Sequence, residues 1–252
     1  MQITPITPYP LPESFLTQVV SLAGSVDVLI LGELHGTQEV PRLLLSLLEP
    51  LSTIGYGGLG LEIPSDQQSD LVDWATGRIE LPPTRFRATE GFRDGVGNVQ
   101  LLSLLRQSFS RTNPWQVLCF DQATEESYRS WTHRDARMAE NLRMQWREYC
   151  PERKVLVVCG NVHSRIVPPT ATDILPDCWP SFAFNLQQGI PIVKAATVDV
   201  IFYSGAFFNG EVKEIHPRTP PLASAAEWQE GGRLGHTGEW HFPRATPATF
   251  WT

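Results

Sequence analysis

Val26-Asp-Val-Leu-Ile-Leu-Gly-Glu-Leu-His35 is the stretch that decides the fold. Its first six residues are a short, largely β-branched apolar run, long enough for a buried strand and too short for a helix. Gly32 ends the run, and a glycine there lets the backbone turn sharply and approach a neighbour closely. Glu33 and His35 follow at once, so the strand delivers an acid and an imidazole to its own carboxyl end.

The same grammar recurs downstream. Thr37 to Leu48 reads as a helix with Thr37 as its N-cap and Pro41 confined to the first turn. Leu59-Gly-Leu-Glu-Ile63 is a second buried strand, stopped by Pro64. Helical stretches are expected at Ser65 to Trp74 and Val99 to Phe109. Trp115 to Phe120 is a third strand closed by Asp121, and Thr124 to Tyr149 a long helix ended by Pro151. Lys154 to Cys159 is a fourth strand, closed by Gly160-Asn-Val-His163. Strands alternating with helices predict an α/β fold: a mostly parallel central sheet flanked by helices on both faces.

Beyond residue 175 the alternation stops. Ser181 to Leu186 and Val193 to Tyr203 read as further strands with no long helix between them. From Ser204 the chain is rich in Gly and Pro. The expectation is one domain over 1–252, with a core at about 20–203 and a C-terminal irregular arm or lid at 204–252. Trp228, Trp240, Phe242, Phe250 and Trp251 favour a packed arm over a disordered one. The stretch Leu81 to Gly97, rich in Pro, Gly and Arg, is a loop suited to carrying function.

Composition narrows the function classes. A formal charge of −7 repels phosphate backbones and argues against nucleic acid as partner. No Lys or Arg precedes Arg42, no apolar run is long enough to span a bilayer, and the expected location is cytoplasmic, with no membrane partner. Cys119, Cys150, Cys159 and Cys178 form no C-x-x-C pair; Cys119 and Cys159 lie in apolar runs as reduced core residues.

In open α/β sheets, ligands bind beyond the carboxyl ends of the strands. Four strand ends here supply Glu33 and His35, Glu62, Asp121, and Asn161 and His163. Such a set can act as general acid and base on water, its carboxylates fixing the imidazole tautomers. It can equally ligate a divalent metal (Mn, Co, Zn or Fe) through His35, His163 and Glu62. The pattern G-x-x-H alone is weak, with roughly half a match expected by chance from this composition. A third match, Gly238-Glu-Trp-His241, follows no apolar strand and reads as a packed tail segment; the strand context promotes the other two. Glu33 can also serve the dipole of the following helix, and Asp121 the cap of the next, whereas a strand carboxylate such as Glu62 has no cheap structural explanation. On the long helix, Arg134, Met138 and Asn141 share a face. Met138 belongs to the core, and Arg134 suits an anionic substrate group or an oxyanion. His216 and His236 have no partner at ligand spacing. There is no G-x-S-x-G elbow, P-loop or dinucleotide fingerprint.

Taken together, Leu31-Gly-Glu-Leu-His-Gly-Thr-Gln-Glu39, Gly60-Leu-Glu62, Phe120-Asp121, Arg134-Asp-Ala-Arg-Met-Ala-Glu-Asn141 and Val155 to His163 resemble the erythromycin esterase-like proteins. The layout is also similar to that of ChaN-like haem-binding proteins, TraB/Tiki proteins and a toxin domain from Pasteurella. Glu33-Leu34-His35 is closer to the ChaN spacing, and Gly-Asn-Val-His stands where the esterases carry His-Asn-x-His. The resemblance covers about residues 26–165 and implies a site of Glu33, His35, Glu62, Arg134 and His163; Asp121 and Asn161, from two of the same strand ends, are expected to bind substrate. Its esterase branch implies metal-free water activation by the first histidine, its Tiki branch metal-dependent peptide cleavage, and its ChaN branch haem binding without catalysis. The expected function is hydrolysis of an ester, amide or related bond of a small molecule or peptide. The alternatives are haem or iron-ligand binding and a non-hydrolytic biosynthetic step.

Overall fold

The computed structural model describes residues 3–80, 98–127, 129–170, 177–189, 192–220, 222, 226–232 and 235–250. The loop read at 81–97 lies outside these residues. The elements run α1 (Glu13–Gly24), β1 (Val28–Glu33), α2 (Glu39–Ser52), β2 (Tyr56–Pro64), a short 3-10 turn (Ser65–Gln67), α3 (Gln68–Ala75), α4 (Val99–Phe109) and β3 (Gln116–Asp121). They continue with α5 (Trp131–Tyr149), β4 (Lys154–Gly160), α6 (Phe182–Gln188), β5 (Ala195–Phe202), β6 (Gly205–Phe208), β7 (Val212–Ile215), β8 (Glu227–Glu230) and β9 (Gly238–Phe242).

One seven-stranded sheet organises the molecule, in the order β3-β2-β4-β1-β5-β9-β8. All its pairings are parallel except β8 with β9. The expected α/β architecture is therefore present. Alternation along β1 explains the two layers. Leu29 and Leu31 face a core shared with α1, α2 and α4, while Val28 and Ile30 face a second core built with α5 and α6. Strands buried on both faces read as continuous apolar runs, which is why the sequence showed them clearly. The four cysteines are free and buried, and burial raises their thiols, to about 11 for Cys150 and Cys178.

Three expectations are corrected. Ser181–Leu186 is not a strand but the start of α6. Ser181 Oγ accepts from Phe184 N, and Phe182, Ala183 and Leu186 turn one helical face into the core. The long helix starts at Trp131 rather than Thr124. Ser130 caps it by accepting from His133 N, and Thr124 instead donates to Asp66 through its backbone N–H and hydroxyl. Thr37 does not cap α2: Gln38 holds that position without a side-chain cap, and Thr37 bridges to Pro247.

The region after Ser204 is irregular for much of its length, yet it adds β8 and β9 to the sheet and packs Trp240 and Phe242 into the core. It also grips the turn after His35. Gly36 O accepts from both Phe208 N and Ala248 N, and Gln38 N donates to Thr246 O. Gly36 has φ +74°, and a Cβ there would collide with the Phe208 carbonyl. Left-handed geometry costs an L-residue about 1–2 kcal/mol before any collision. Gly36→Ala is therefore expected to lose more than about 2 kcal/mol, a fall of roughly 4–8 °C or more in Tm for a chain of this size. Thermal unfolding checks this, and an unchanged Tm would show that the turn does not need the glycine.

Candidate active site

The sheet order sets the site. β2, β4 and β1 are neighbours, so Glu62, Gly160 and Glu33 meet at one carboxyl edge, with Glu33 directly opposite Gly160 in the β1–β4 register. β3 brings Asp121 in beyond β2, and α5 lays Arg134 and Asp135 across the edge from the second-core side.

Glu62 stands at the centre. It is buried at 5% exposure, and its two oxygens face different groups. Oε1 accepts from Arg134 Nη2 at 2.8 Å and lies 3.4 Å from His163 Nε2. Oε2 accepts from Gly160 N at 2.7 Å and lies 3.6 Å from His35 Nε2. Burial alone would raise this carboxyl. The charges of His163, Arg134 and His35 and the Gly160 N–H outweigh burial and hold it at about 2, against an ordinary 4.5.

Arg134 is locked in place. Its Nε donates to Asp121 Oδ1 at 2.8 Å and its Nη2 to Asp121 Oδ2 at 2.6 Å, the bidentate fork that arginine forms with carboxylates. Nη1 lies 3.3 Å from His163 Nε2. Asp121 Oδ1 also accepts from Gln122 N. Asp121 thus stands behind Arg134 with both oxygens engaged. It does not cap α5, which begins ten residues later with Ser130 as its cap.

The two histidines sit in different surroundings. His35 Nδ1 is hydrogen-bonded to Glu33 Oε1 at 2.9 Å, and this pair is the partly exposed rim, at 24% and 16% side-chain exposure. His163 is buried, with Nδ1 2.5 Å from Asp135 Oδ1. Burial would lower the His163 imidazole, but Glu62 and Asp135 overcome it and raise it above the usual histidine value. Burial also raises Asp135. Asn161 takes part through its backbone, its N–H donating to Glu33 O and its carbonyl accepting from Ser164 Oγ.

Asp135 is the residue the sequence reading passed over. It sits inside the quoted motif, beside Arg134, but nothing in a helical stretch of alternating charges distinguishes a fully buried acid from a solvated one. The missing signal was the position of His163 in space.

The tail histidines form their own contacts. His236 Nε2 meets Ser164 Oγ at 2.8 Å, a partner the sequence did not suggest, and His241 pairs with Glu239 at 3.1 Å within β9. The Ser164 hydroxyl also donates to Asn161 O, so this Ser–His pair is a structural link rather than a primed nucleophile.

His35, Glu62 and His163 do not form a metal-binding group, and no such group of three or more acid, His or Cys side chains occurs among the described residues. The reason is visible: the Arg134 guanidinium already occupies the space between Glu62, Asp121 and His163, and its charge would oppose a second cation. The metal expectation therefore does not fit this donor set.

Gly160 matters for His35. A Cβ there would lie 2.9 Å from His35 Nε2 and 3.4 Å from His163 Cδ2. Because the obstacle is the tip of a side chain, Gly160→Ala is expected to shift His35 rather than break β4. If His35 is a reacting group, misplacing it by about 1 Å can cost roughly 100-fold in rate. Turnover should fall on that scale while the urea midpoint stays near that of the wild type; equal turnover would show that His35 is not held against β4.

An open groove of about 740 Å³ lies next to the site, lined by Ser130, Trp131, Thr132, Pro168, Pro169, Asp177 and Trp179. Trp131 joins the two: its ring centroid is 5.4 Å from that of His163 and 5.9 Å from the Arg134 guanidinium. No helix among the described residues is long and apolar enough to cross a membrane.

No protein-family model matches the sequence. No curated protein matches it either. Solved structures do match in shape. A succinoglycan biosynthesis protein aligns with a TM-score of 0.68 at 10% identity over 97% of this chain and 95% of its own. A protein from Bacillus cereus aligns at 0.63 and 12% identity over 98% and 96%. A mutant of erythromycin esterase EreC in its open conformation aligns at 0.58 and 12% identity over 95% and 81%. At such identities the likeness is one of fold, and in fold this chain is similar to an erythromycin esterase, as the motif order had implied.

Proposed function

We propose that this chain hydrolyses an ester, amide or related bond of a small molecule or peptide, with His35 as the base that activates water. The observation that carries this reading is the Glu33–His35 hydrogen bond at 2.9 Å, on the partly exposed rim of an otherwise buried charge network. Glu33 accepts a hydrogen bond from Nδ1–H, which leaves Nε2 as the basic nitrogen. Nε2 takes a proton from water while the water oxygen bonds to the carbonyl carbon. The tetrahedral anion then collapses and expels the alcohol or amine. Arg134, fixed by Asp121 and Glu62, supplies the positive field at the reacting centre. His163 is the second proton carrier, and Asn161 contacts the substrate. The groove beside Trp131 falls within the usual size of small-molecule sites, roughly 300–1,000 Å³. The fold shared with an erythromycin esterase supports the reading.

The test is a panel of alkyl esters, aryl esters and amides assayed for acid release by the full chain, with His35→Gln as the blank. Release that depends on His35 is expected for at least one class. Release equal in protein and blank across the panel would remove the proposal.

A further inference from the structure

Resting on that hydrolytic reading, we propose that Asp135 is a positioning residue that keeps His163 as the proton donor of the site. The bond cleaved is then one whose leaving group needs a proton: an alkyl ester or an amide.

Three observations carry this. First, Asp135 is fully buried, yet both its oxygens are used: Oδ1 faces His163 Nδ1 at 2.5 Å and Oδ2 accepts from Phe182 N at 3.0 Å. The pairing fixes the ring and directs Nε2 to the centre of the site, between Glu62 and Arg134. Second, the charges favour an imidazolium. Glu62 from β2, Asp121 from β3, Asp135 from α5 and Glu33 from β1 are four carboxylates against one guanidinium, Arg134. Arg134 Nη1, which can only donate, faces Nε2 at 3.3 Å and opposes a proton there; Asp135 and Glu62, at 2.5 and 3.4 Å, favour the imidazolium. His35 faces Glu62 from the other side, at 3.6 Å. Third, the two histidines are separated by Glu62 and have separate carboxylate partners, so one can accept a proton while the other gives one. Environments that push two titratable groups apart are how acid and base roles are assigned within one site.

The proton balance closes. His35 Nε2 gains a proton from water, and the hydroxide oxygen forms the new bond to carbon. The bond from carbon to the leaving oxygen or nitrogen then breaks, and that atom takes the proton from His163 Nε2. To restore the resting site, one net proton passes from His35 to His163. A phenolate leaves without such help, whereas an alkoxide or amide anion does not.

The experiment uses the full chain labelled with 15N-histidine, with His163→Gln assigning the His163 signals by their loss. At pH 7.5 the wild-type ring is expected to carry protons on both nitrogens, and Asp135→Asn to leave it neutral. A neutral His163 in the wild type, or the same charge in both proteins, overturns the proposal; should Asp135→Asn fail to fold, the wild-type pH titration alone decides the charge. The kinetic arm compares ethyl acetate with p-nitrophenyl acetate. His163→Gln should lose about 10²- to 10⁴-fold on the alkyl ester and far less on the aryl ester. Equal losses would show that His163 does not protonate the leaving group. If the wild type cleaves no ester or amide, the hydrolytic reading fails with its leaving-group corollary, and the role of Asp135 is decided by the spectra alone.

Discussion

Arg134→Met is expected to be the most destabilising single substitution in the site, by about 3–5 kcal/mol, the usual cost of removing one partner from a buried ion pair. Methionine fills a similar volume, so the loss is electrostatic rather than a cavity. Glu62 and Asp121, both nearly inaccessible, lose the cation they share. Glu62 keeps the Gly160 N–H, and the Asp121 carboxylate keeps the backbone N–H of Gln122. At roughly 2–4 °C per kcal/mol for a chain of this size, Tm should fall by roughly 6–20 °C at pH 7. The pH dependence has a definite sign. The folded Glu62 carboxyl sits at about 2, below its ordinary 4.5, so its contribution to stability is present above 4.5 and is lost as pH falls through about 2. Arg134 is one source of that depression. The gap between wild type and variant should therefore be widest above pH 5 and narrow as the solution is acidified toward pH 2. Thermal unfolding of both proteins across this range is the check, and a variant as stable as the wild type at pH 7 would mean that Arg134 does not neutralise the pair.

The difference between what the sequence disclosed and what it concealed has a physical pattern. Strands β1 to β5 were legible because a parallel sheet buried on both faces demands unbroken apolar runs, and Val28–Leu31 and Val155–Cys159 leave no other reading. Glu33, His35, Glu62 and His163 were legible because each sits at the end of such a run, where the topology sends side chains to one edge. Phe182–Leu186 was misread because a seven-residue helix is too short to show its period, and Ser181 as a cap can equally be a loop residue. β8 and β9 were hidden for a different reason. β9 carries Glu239 and His241, 3.1 Å apart, among buried aromatics, and two polar residues in so short a segment break the apolar run that marks a buried strand. Asp121 and Asp135 show the limit most clearly. Both acids were visible, but which of them would grip an arginine and which a histidine depends on how α5 lies over β2 and β3, a fact of packing rather than of pattern.

The decisive kinetic comparison sets His35→Gln beside Glu33→Gln. Removing a general base typically costs 10²- to 10⁴-fold in rate, and His35→Gln should lose turnover on that scale with its Tm nearly unchanged, because the His35 side chain is partly exposed and lies outside the apolar core. Glu33→Gln should fall between that variant and the wild type. The glutamine carbonyl can still accept the proton on His35 Nδ1, so ring and tautomer stay oriented, but the negative charge that stabilises the imidazolium formed when His35 takes its proton is gone. The substitution therefore separates orientation from charge. A loss in kcat with little change in KM would place the effect in the transition state, as a base-orienting carboxylate requires. Two alternatives make opposite predictions. If Glu33 only favours the dipole of α2, Glu33→Gln lowers stability by a few tenths of a kcal/mol, on the order of the surface dipole effect, and leaves kcat untouched. If Glu33 is itself the base, Glu33→Gln falls as far as His35→Gln or further, and His35 becomes the group that positions it.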